Sequence, residues 1–240
     1  MSRDAILTVD GLSAWYGAAQ ILYGLDLDVG RGEVVALMGR NGAGKSTTMK
    51  SIMGLVGRRR GRVRFDGHDI SALEPYRIAR LGLGFTPEDR RIFSDLTVME
   101  NLDVGRQRPR ASTGVAAWTP ERLFALFPNL AERRDNLGSQ MSGGEQQMLT
   151  VARTLMGNPL AVLLDEPSEG VAPVIVEQMA ATIVELKQQG LSILLSEQNI
   201  NFAELVADRV YVLEKGHIRW HSAMAALMRE REVQRAFLTV

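Results

Sequence analysis

One short stretch limits what this chain can fold into more than any other. The apolar run Val34-Val35-Ala36-Leu37-Met38 empties into Gly39-Arg40-Asn41-Gly42-Ala43-Gly44-Lys45-Ser46-Thr47. The order is strand, glycine-rich turn, helix start. Gly39, Gly44, Lys45 and Ser46 satisfy G-x-x-x-x-G-K-S, in which glycines let backbone N–H groups close around phosphates and the lysine reaches the outer ones. Asn41, Gly42 and Thr47 belong to the same loop, and Ser46 is the expected Mg2+ ligand. The following helix, read over residues 45–54, points its positive end at the same anion, so loop and helix dipole act together.

The rest of the chain must build a core around this unit, and 240 residues that are 45% hydrophobic can do so. Lys plus Arg and Asp plus Glu number 28 each, so no charge excess draws the chain to nucleic acid or to an acidic surface. Any membrane role therefore runs through a protein partner. The absence of cysteine excludes disulfides, thiolate metal sites and cysteine nucleophiles, and is compatible with a reducing cytosol. Met1-Ser2-Arg3-Asp4 carries no apolar signal core, and no apolar run approaches the roughly 20 residues of a membrane helix, so the chain is expected to be soluble or peripheral.

Period-two patterning places strands at residues 6–9, 12–16, 21–29 and 33–38, separated by Asp10-Gly11, Gly17 and Gly30-Arg31-Gly32. A second β pair follows the first helix, with residues 61–65 and the turn Asp66-Gly67. Arg58-Arg59-Arg60 reads as a solvated connecting loop. From about residue 90 to 158 the apolar spacing becomes helical, at 96–104, 119–127 and 146–156, which predicts a mostly helical insert. The β signal returns at 160–164 and 192–195 with a helix over 174–189 between them, a β-α-β alternation that implies a parallel sheet. Tyr211-Val212-Leu213, the Lys215-Gly216 turn and Ile218-Arg219-Trp220 read as a hairpin. Ser222 is then expected to cap a last helix reaching Phe237. No internal repeat or low-complexity linker interrupts the pattern.

Two further segments carry chemistry. Asp165 and Glu166 follow Leu163-Leu164 at the C-terminal end of a buried strand, where open α/β sheets bind ligands. After a phosphate loop they divide naturally: Asp165 holds Mg2+ with Ser46, and Glu166 polarises the attacking water. The other segment is Met141-Ser142-Gly143-Gly144-Glu145, a serine and two glycines opening a helix, which is a second anion cradle or an ordinary helix cap. Tyr16, ahead of the phosphate loop, stacks on an adenine ring or packs on a sheet face. His68, His217 and His221 have no Asp or Glu at metal-ligand spacing and read as surface or turn residues.

Together these residues resemble the ABC-type ATPase family over nearly the whole chain, and Ser142-Gly143-Gly144-Glu145-Gln146 is the most family-specific piece. The resemblance implies an α/β fold: a phosphate-loop ATPase core with an N-terminal antiparallel β subdomain and an inserted helical subdomain. The whole chain, 1–240, would be one ATPase domain, with residues 1–89 and 158–240 as core and 90–157 as helical subdomain. The cofactors would be ATP and Mg2+. Tyr16 becomes the adenine-stacking aromatic, Asp165 the metal ligand and Glu166 the catalytic base. In this family two ATPase domains clamp head to tail, each ATP lying between one phosphate loop and the partner's Ser-Gly-Gly segment. The implied partners are a second ATPase subunit, as a homologous heterodimer or alternatively a homodimer, and transmembrane permeases docked on the region 90–138. An extracytoplasmic binding protein would act indirectly, and no nucleic acid is expected. The location would be peripheral, on the cytoplasmic face of the inner membrane.

Three positions depart from the general family pattern. Glu88 stands where glutamine is usual, Gln198 where histidine is usual, and Ala172 where aspartate is usual. These changes are similar to one branch, the LivF-like ATPase of branched-chain amino-acid importers, as are Pro87-Glu88-Asp89-Arg90-Arg91 and Glu197-Gln198-Asn199. Gln198 can still donate to a γ-phosphate oxygen, but it carries no charge. Glu88 would be repelled by a triphosphate unless Mg2+ or an arginine offsets it. ATPases of urea or amide importers and of lipopolysaccharide exporters are the alternatives, followed by a non-transport ABC ATPase, against which the short insert and neutral charge argue.

Overall fold

The apolar alternation of the first thirty residues produces a long antiparallel hairpin in this computed structural model, which describes residues 4–109 and 116–238. The opening Met1-Ser2-Arg3 and residues 110–115 of the helical stretch lie outside the described residues. β1 (Ala5–Tyr16) pairs with β2 (Ala19–Gly30), and its other edge with β4 (Arg58–Phe65), which carries the short β5 (His68–Asp69). The order of this antiparallel sheet is β2-β1-β4-β5.

The second sheet has six strands in the order β10-β9-β3-β8-β7-β6. These are β3 (Val34–Met38), β6 (Leu83–Thr86), β7 (Ala161–Asp165), β8 (Ser192–Glu197), β9 (Arg209–Glu214) and β10 (His217–Ala223). All neighbours pair in parallel except the β9–β10 hairpin. Both faces of the parallel strands are covered, which is why they read as continuous apolar runs. On one face Val35 and Leu37 of β3 meet the antiparallel sheet and α1 (Lys45–Ile52). On the other, Val162, Leu164, Ile193 and Leu195 pack under the helices α3 (Val98–Gly105), α4 (Pro120–Leu126), α5 (Pro128–Glu132), α6 (Gly143–Leu155) and α7 (Pro173–Gln188). Ala36 and Met38 pack with α8 (Ile200–Val206) and α9 (Met224–Leu227). Fully burying each such valine, leucine or methionine contributes about 1.5–3 kcal/mol, and β3 is buried at all five positions.

Three sequence expectations are corrected. Asp10-Gly11 does not divide two strands: Gly11 takes φ 62 at a register shift between Val9 and Leu12, so β1 continues through a bulge. Arg58-Arg59-Arg60 is not a loop but the start of β4, and the Arg58 and Arg60 guanidinium groups sit 5.0 and 5.8 Å from the Trp15 ring centroid. Ser222 lies inside β10, and the C-terminal helical segment is split into α9 and α10 (Arg231–Phe237), neither capped by a serine. Sequence reading also passed over α2 (Pro75–Leu81), β6 and α8.

Candidate functional site

The loop after β3 is built by close approach. A Cβ on Gly39 would lie 2.3 Å from the Leu213 carbonyl oxygen, and Gly44 takes φ 113 with its Cα hydrogen facing Leu22. Only glycine meets both demands. The β9–β10 turn props this loop from behind: the Gly216 N–H donates to the Ala43 carbonyl at 2.8 Å, and the Tyr23 N–H donates to Gly216 at 3.0 Å. Gly44 caps α1 without a side chain, leaving first-turn N–H groups free for an anion.

The lysine that starts α1 is buried. Lys45 Nζ donates to the carbonyls of Gly39 (2.7 Å) and Arg40 (3.2 Å) and pairs with Glu166 Oε1 at 3.1 Å. Ser46 Oγ donates to Asp165 Oδ1 at 3.1 Å, and Ser196 Oγ donates to the same oxygen at 2.6 Å. Asp165 Oδ2 is buried with no hydrogen-bond partner. An orphaned carboxylate oxygen beside a serine hydroxyl suits a hard divalent cation.

Glu166 leaves β7 with φ 49, a left-handed conformation costly for a side chain of this size and typical of functional sites. Gln198 Nε2 donates to Glu166 Oε2 at 3.0 Å and to Asn41 Oδ1 at 2.7 Å. The structure therefore joins Lys45, Asn41, Glu166 and Gln198 in one contact set, with Ser46 and Asp165 alongside. A pocket of about 310 Å³ is lined by Asn41, Lys45, Ser46 and Glu166 of this set, together with Gly42, Gly44, Thr47, Glu88 and Ile21, whereas Asp165 and Gln198 are not part of its lining. Glu88 is exposed, and among the described residues no cation lies within ion-pair distance of it. Tyr16 is half exposed at the end of β1 and is not part of the pocket lining, which reaches Ile21 on the paired strand instead.

Electrostatics divides the acids. Burial pushes Asp165 up, against the hydrogen bonds of Ser196 and Ser46. Burial also acts to raise Glu166, but hydrogen bonds from Glu169 and Gln198 and the Lys45 charge together hold it below the ordinary carboxylate value. Glu169 goes the other way: its hydrogen bond to Glu166, followed by partial burial and the negative charges of Glu166 and Glu88, pushes it up to about 7.

Ser142 caps α6 at a different place. Its Oγ accepts the Glu145 N–H at 3.3 Å while Glu145 Oε2 accepts the Ser142 N–H at 2.7 Å, a reciprocal capping box. Burial acts to raise the Glu145 carboxyl, but hydrogen bonds from the Ser142 N–H and hydroxyl, with the Arg133 charge, hold it below the ordinary carboxylate value. Gly144 lets Ile175 pack closely, 2.8 Å from where a Cβ would stand, and the Arg90 guanidinium lies 2.7 Å from the corresponding point on Gly143. Ser142, Gly143, Gly144 and Glu145 do not line the pocket over Lys45. Sequence reasoning missed Ser196, Glu169 and Glu197. Ser196 and Glu197 end an apolar strand, and a polar pair at the ligand-binding edge of a sheet is the signal that was there to be read.

Comparison with known proteins identifies the family. The ABC transporter family model matches residues 22–169. The chain is 41% identical to the high-affinity branched-chain amino acid transport ATP-binding protein BraG of Pseudomonas aeruginosa, over 97% of this chain and 99% of that protein. It is 35% identical to the lipopolysaccharide export system ATP-binding protein LptB of Haemophilus influenzae, over 98% of this chain and 97% of that one. Its fold superimposes on the ADP conformation of MJ1267, an ATP-binding cassette of an ABC transporter, with TM-score 0.80 and 26% identity, covering 96% and 97% of the two chains. The chain belongs to the ABC transporter family: it is an ATP-binding subunit, and its cassette hydrolyses ATP.

Proposed function

We propose that this chain energises an importer of branched-chain amino acids. The observation that carries the reading is the 41% identity to BraG across 97% of the chain. The departures at Glu88, Ala172 and Gln198 support the same branch.

When bound, ATP supplies the γ-phosphoryl group and Mg2+ offsets the charge that develops on its oxygens. The chain's own groups do the rest. Backbone N–H groups of residues 39–47 and the α1 N-terminus cradle the phosphates, with Gly39, Asn41, Gly42, Gly44 and Thr47 shaping the loop. Lys45 neutralises the outer phosphates. Ser46 and Asp165 hold the metal, for which the unpartnered Asp165 Oδ2 is the fitting ligand. Glu166 accepts the proton of the attacking water at its carboxylate, and Gln198 donates from Nε2 to a γ-phosphate oxygen. Tyr16 stacks on adenine from the end of β1, and Glu88 faces the nucleotide from the pocket wall.

Ser142, Gly143, Gly144 and Glu145 form a donor cradle outside that pocket, which suits a head-to-tail pair in which each chain serves the other's nucleotide. The second cassette is read as a homologue, with a second copy of this chain as the alternative. Residues 90–157 form the helical subdomain and 1–89 with 158–240 the core. A groove of about 500 Å³ between them, lined by Tyr76, Phe85, Phe93, Val104 and Arg153, is where a transmembrane permease would dock. Among the described residues no helix is long and apolar enough to cross a membrane. This fits peripheral attachment at the cytoplasmic face through the permease, with an extracytoplasmic binding protein acting indirectly. The LptB relatives, at 34–35% identity, keep lipopolysaccharide export as the second reading.

The test is co-purification of the chain with its membrane subunits and reconstitution in vesicles. ATP-driven uptake of leucine, isoleucine or valine is the expected result. ATP-driven extraction of lipopolysaccharide without uptake would assign the chain to the exporter.

A further inference from the structure

Glu197 ends β8 and is 2% exposed, yet among the described residues no lysine or arginine lies within ion-pair distance of it. Its partners are three backbone N–H groups and the Ser168 hydroxyl. Oε1 accepts the Ser168 N–H at 3.1 Å, and Oε2 accepts the N–H groups of Gln198 (3.1 Å) and Asn199 (3.2 Å). Burial pushes this carboxyl up, and bonds from Ser168, Asn199 and Gln198 pull against that. A buried charge satisfied by donors from two separate loops ties them together.

The two loops carry the reacting groups. Ser168 stands two residues beyond Glu166, separated from it only by Pro167, and Gln198 directly follows Glu197. The Gln198 side chain returns to Glu166 Oε2 at 3.0 Å. A closed circuit results: Glu166, Pro167 and Ser168 lead to the Glu197 carboxylate, which leads to Gln198 and back to Glu166. The loop after β7 and the loop after β8 are thereby tied through one carboxylate.

We infer that Glu197 is a positioning residue for hydrolysis, its carboxylate clamping the base-bearing loop to the Gln198 loop so that Glu166 and the Gln198 amide keep their relative orientation. The inference rests on the roles of Glu166 and Gln198 proposed above. An amide cannot replace the carboxylate, because one of its two polar ends is a donor and would face a backbone N–H.

Steady-state ATPase assays on the full chain in its assembled complex test it, with Glu197→Gln, Gln198→Ala, the double variant and Glu166→Gln. Glu197→Gln should lower kcat about tenfold or more with KM for Mg-ATP within about twofold, since a small misplacement of reacting groups costs turnover before binding. In the Gln198→Ala background the same substitution should cost no more than about twofold, because the clamp would have lost the group it positions. An unchanged kcat in Glu197→Gln overturns the inference. So does an equal loss in both backgrounds, or a loss confined to KM. If Glu197→Gln does not fold, Glu197→Asp carries the same comparison, since it keeps the charge and reaches only its own loop. Full turnover in Glu166→Gln would instead overturn the underlying assignment of the base.

Discussion

The two surfaces proposed above to face phosphate, around Lys45 and around Ser142, are built in opposite ways. Around Lys45 the polar groups satisfy one another: lysine pairs with Glu166, Glu166 with Gln198, and Ser46 and Ser196 with Asp165. Around Ser142 the capping box closes on its own helix turn, Glu145 pairs in addition with Arg133 at 2.6 Å, and the serine itself is exposed. The first surface is a closed network in low dielectric, where each group sets its neighbour's charge state. The second is an open cradle, which in the proposed head-to-tail pair would be completed by the partner's nucleotide. A substitution in the first should therefore disturb the isolated chain, and one in the second should matter mainly in the pair.

The largest effect is expected at Lys45. Lys45→Ala should reduce ATP turnover by at least about 10²–10³-fold, as expected when a preorganised charge is removed from developing phosphate charge. Turnover measured at saturating nucleotide checks this, and near-normal rates would break the comparison at its strong side. Ser142→Ala should lower turnover of the assembled pair about tenfold through one lost donor, leave nucleotide binding by the isolated chain unchanged, and cost about 1 kcal/mol of stability through the lost cap. Weakened nucleotide binding by the isolated variant, followed by titration calorimetry, would erase the distinction between the two surfaces.

Smaller and more pointed is Gln198→His. It replaces a non-titrating amide with a group of unperturbed pKa about 6.5, so hydrolysis should gain a pH dependence between about 6 and 7 that the parent lacks. Superimposable pH–rate profiles would remove position 198 from the network. The smallest effect concerns Glu169, whose carboxyl is raised from 4.5 to about 7 in the fold. Between those values the folded chain binds more protons than the unfolded one, so this group's contribution to stability falls as pH rises toward about 7. Glu169 is exposed and solvent screens the effect. Glu169→Gln should flatten that decline in thermal midpoints measured from pH 4.5 to 7.5, a window that brackets the carboxyl's two values. An unchanged slope would detach Glu169 from Glu166.

Both surfaces were largely legible in the sequence because their parts are local. Gly39 to Thr47, Asp165-Glu166 and Ser142 to Glu145 each carry their chemistry within a few residues. What was not legible depends on distant neighbours. Arg58 to Arg60 resemble a loop until Trp15 and the β1 backbone stand beside them. Asp10-Gly11 resembles a turn until both flanking segments pair with β2, which turns the same glycine into a bulge. Glu197, a charged residue closing an apolar strand, looks like a strand end meeting water; only the fold brings the Ser168 N–H to it. The split of the C-terminal helical segment between α9 and α10 has no strong breaker in the sequence to announce it.

The hairpin turn at Gly216 gives the molecule an indivisibility that its motifs do not advertise. The family match ends at residue 169, yet the phosphate loop leans on backbone contributed by Leu213 and Gly216, more than 40 residues later. A Cβ on Gly216 would lie 1.9 Å from the Ile21 carbonyl, so this turn is wedged between the loop and the first sheet. Excising the motif-bearing stretch as a minimal nucleotide binder would remove its buttress, and Gln198 with it, while leaving the phosphate loop, Ser142 to Glu145 and Asp165-Glu166 in place. The nucleotide-binding unit is thus spread along the chain, and its last mechanical part is a hairpin that carries no recognisable motif.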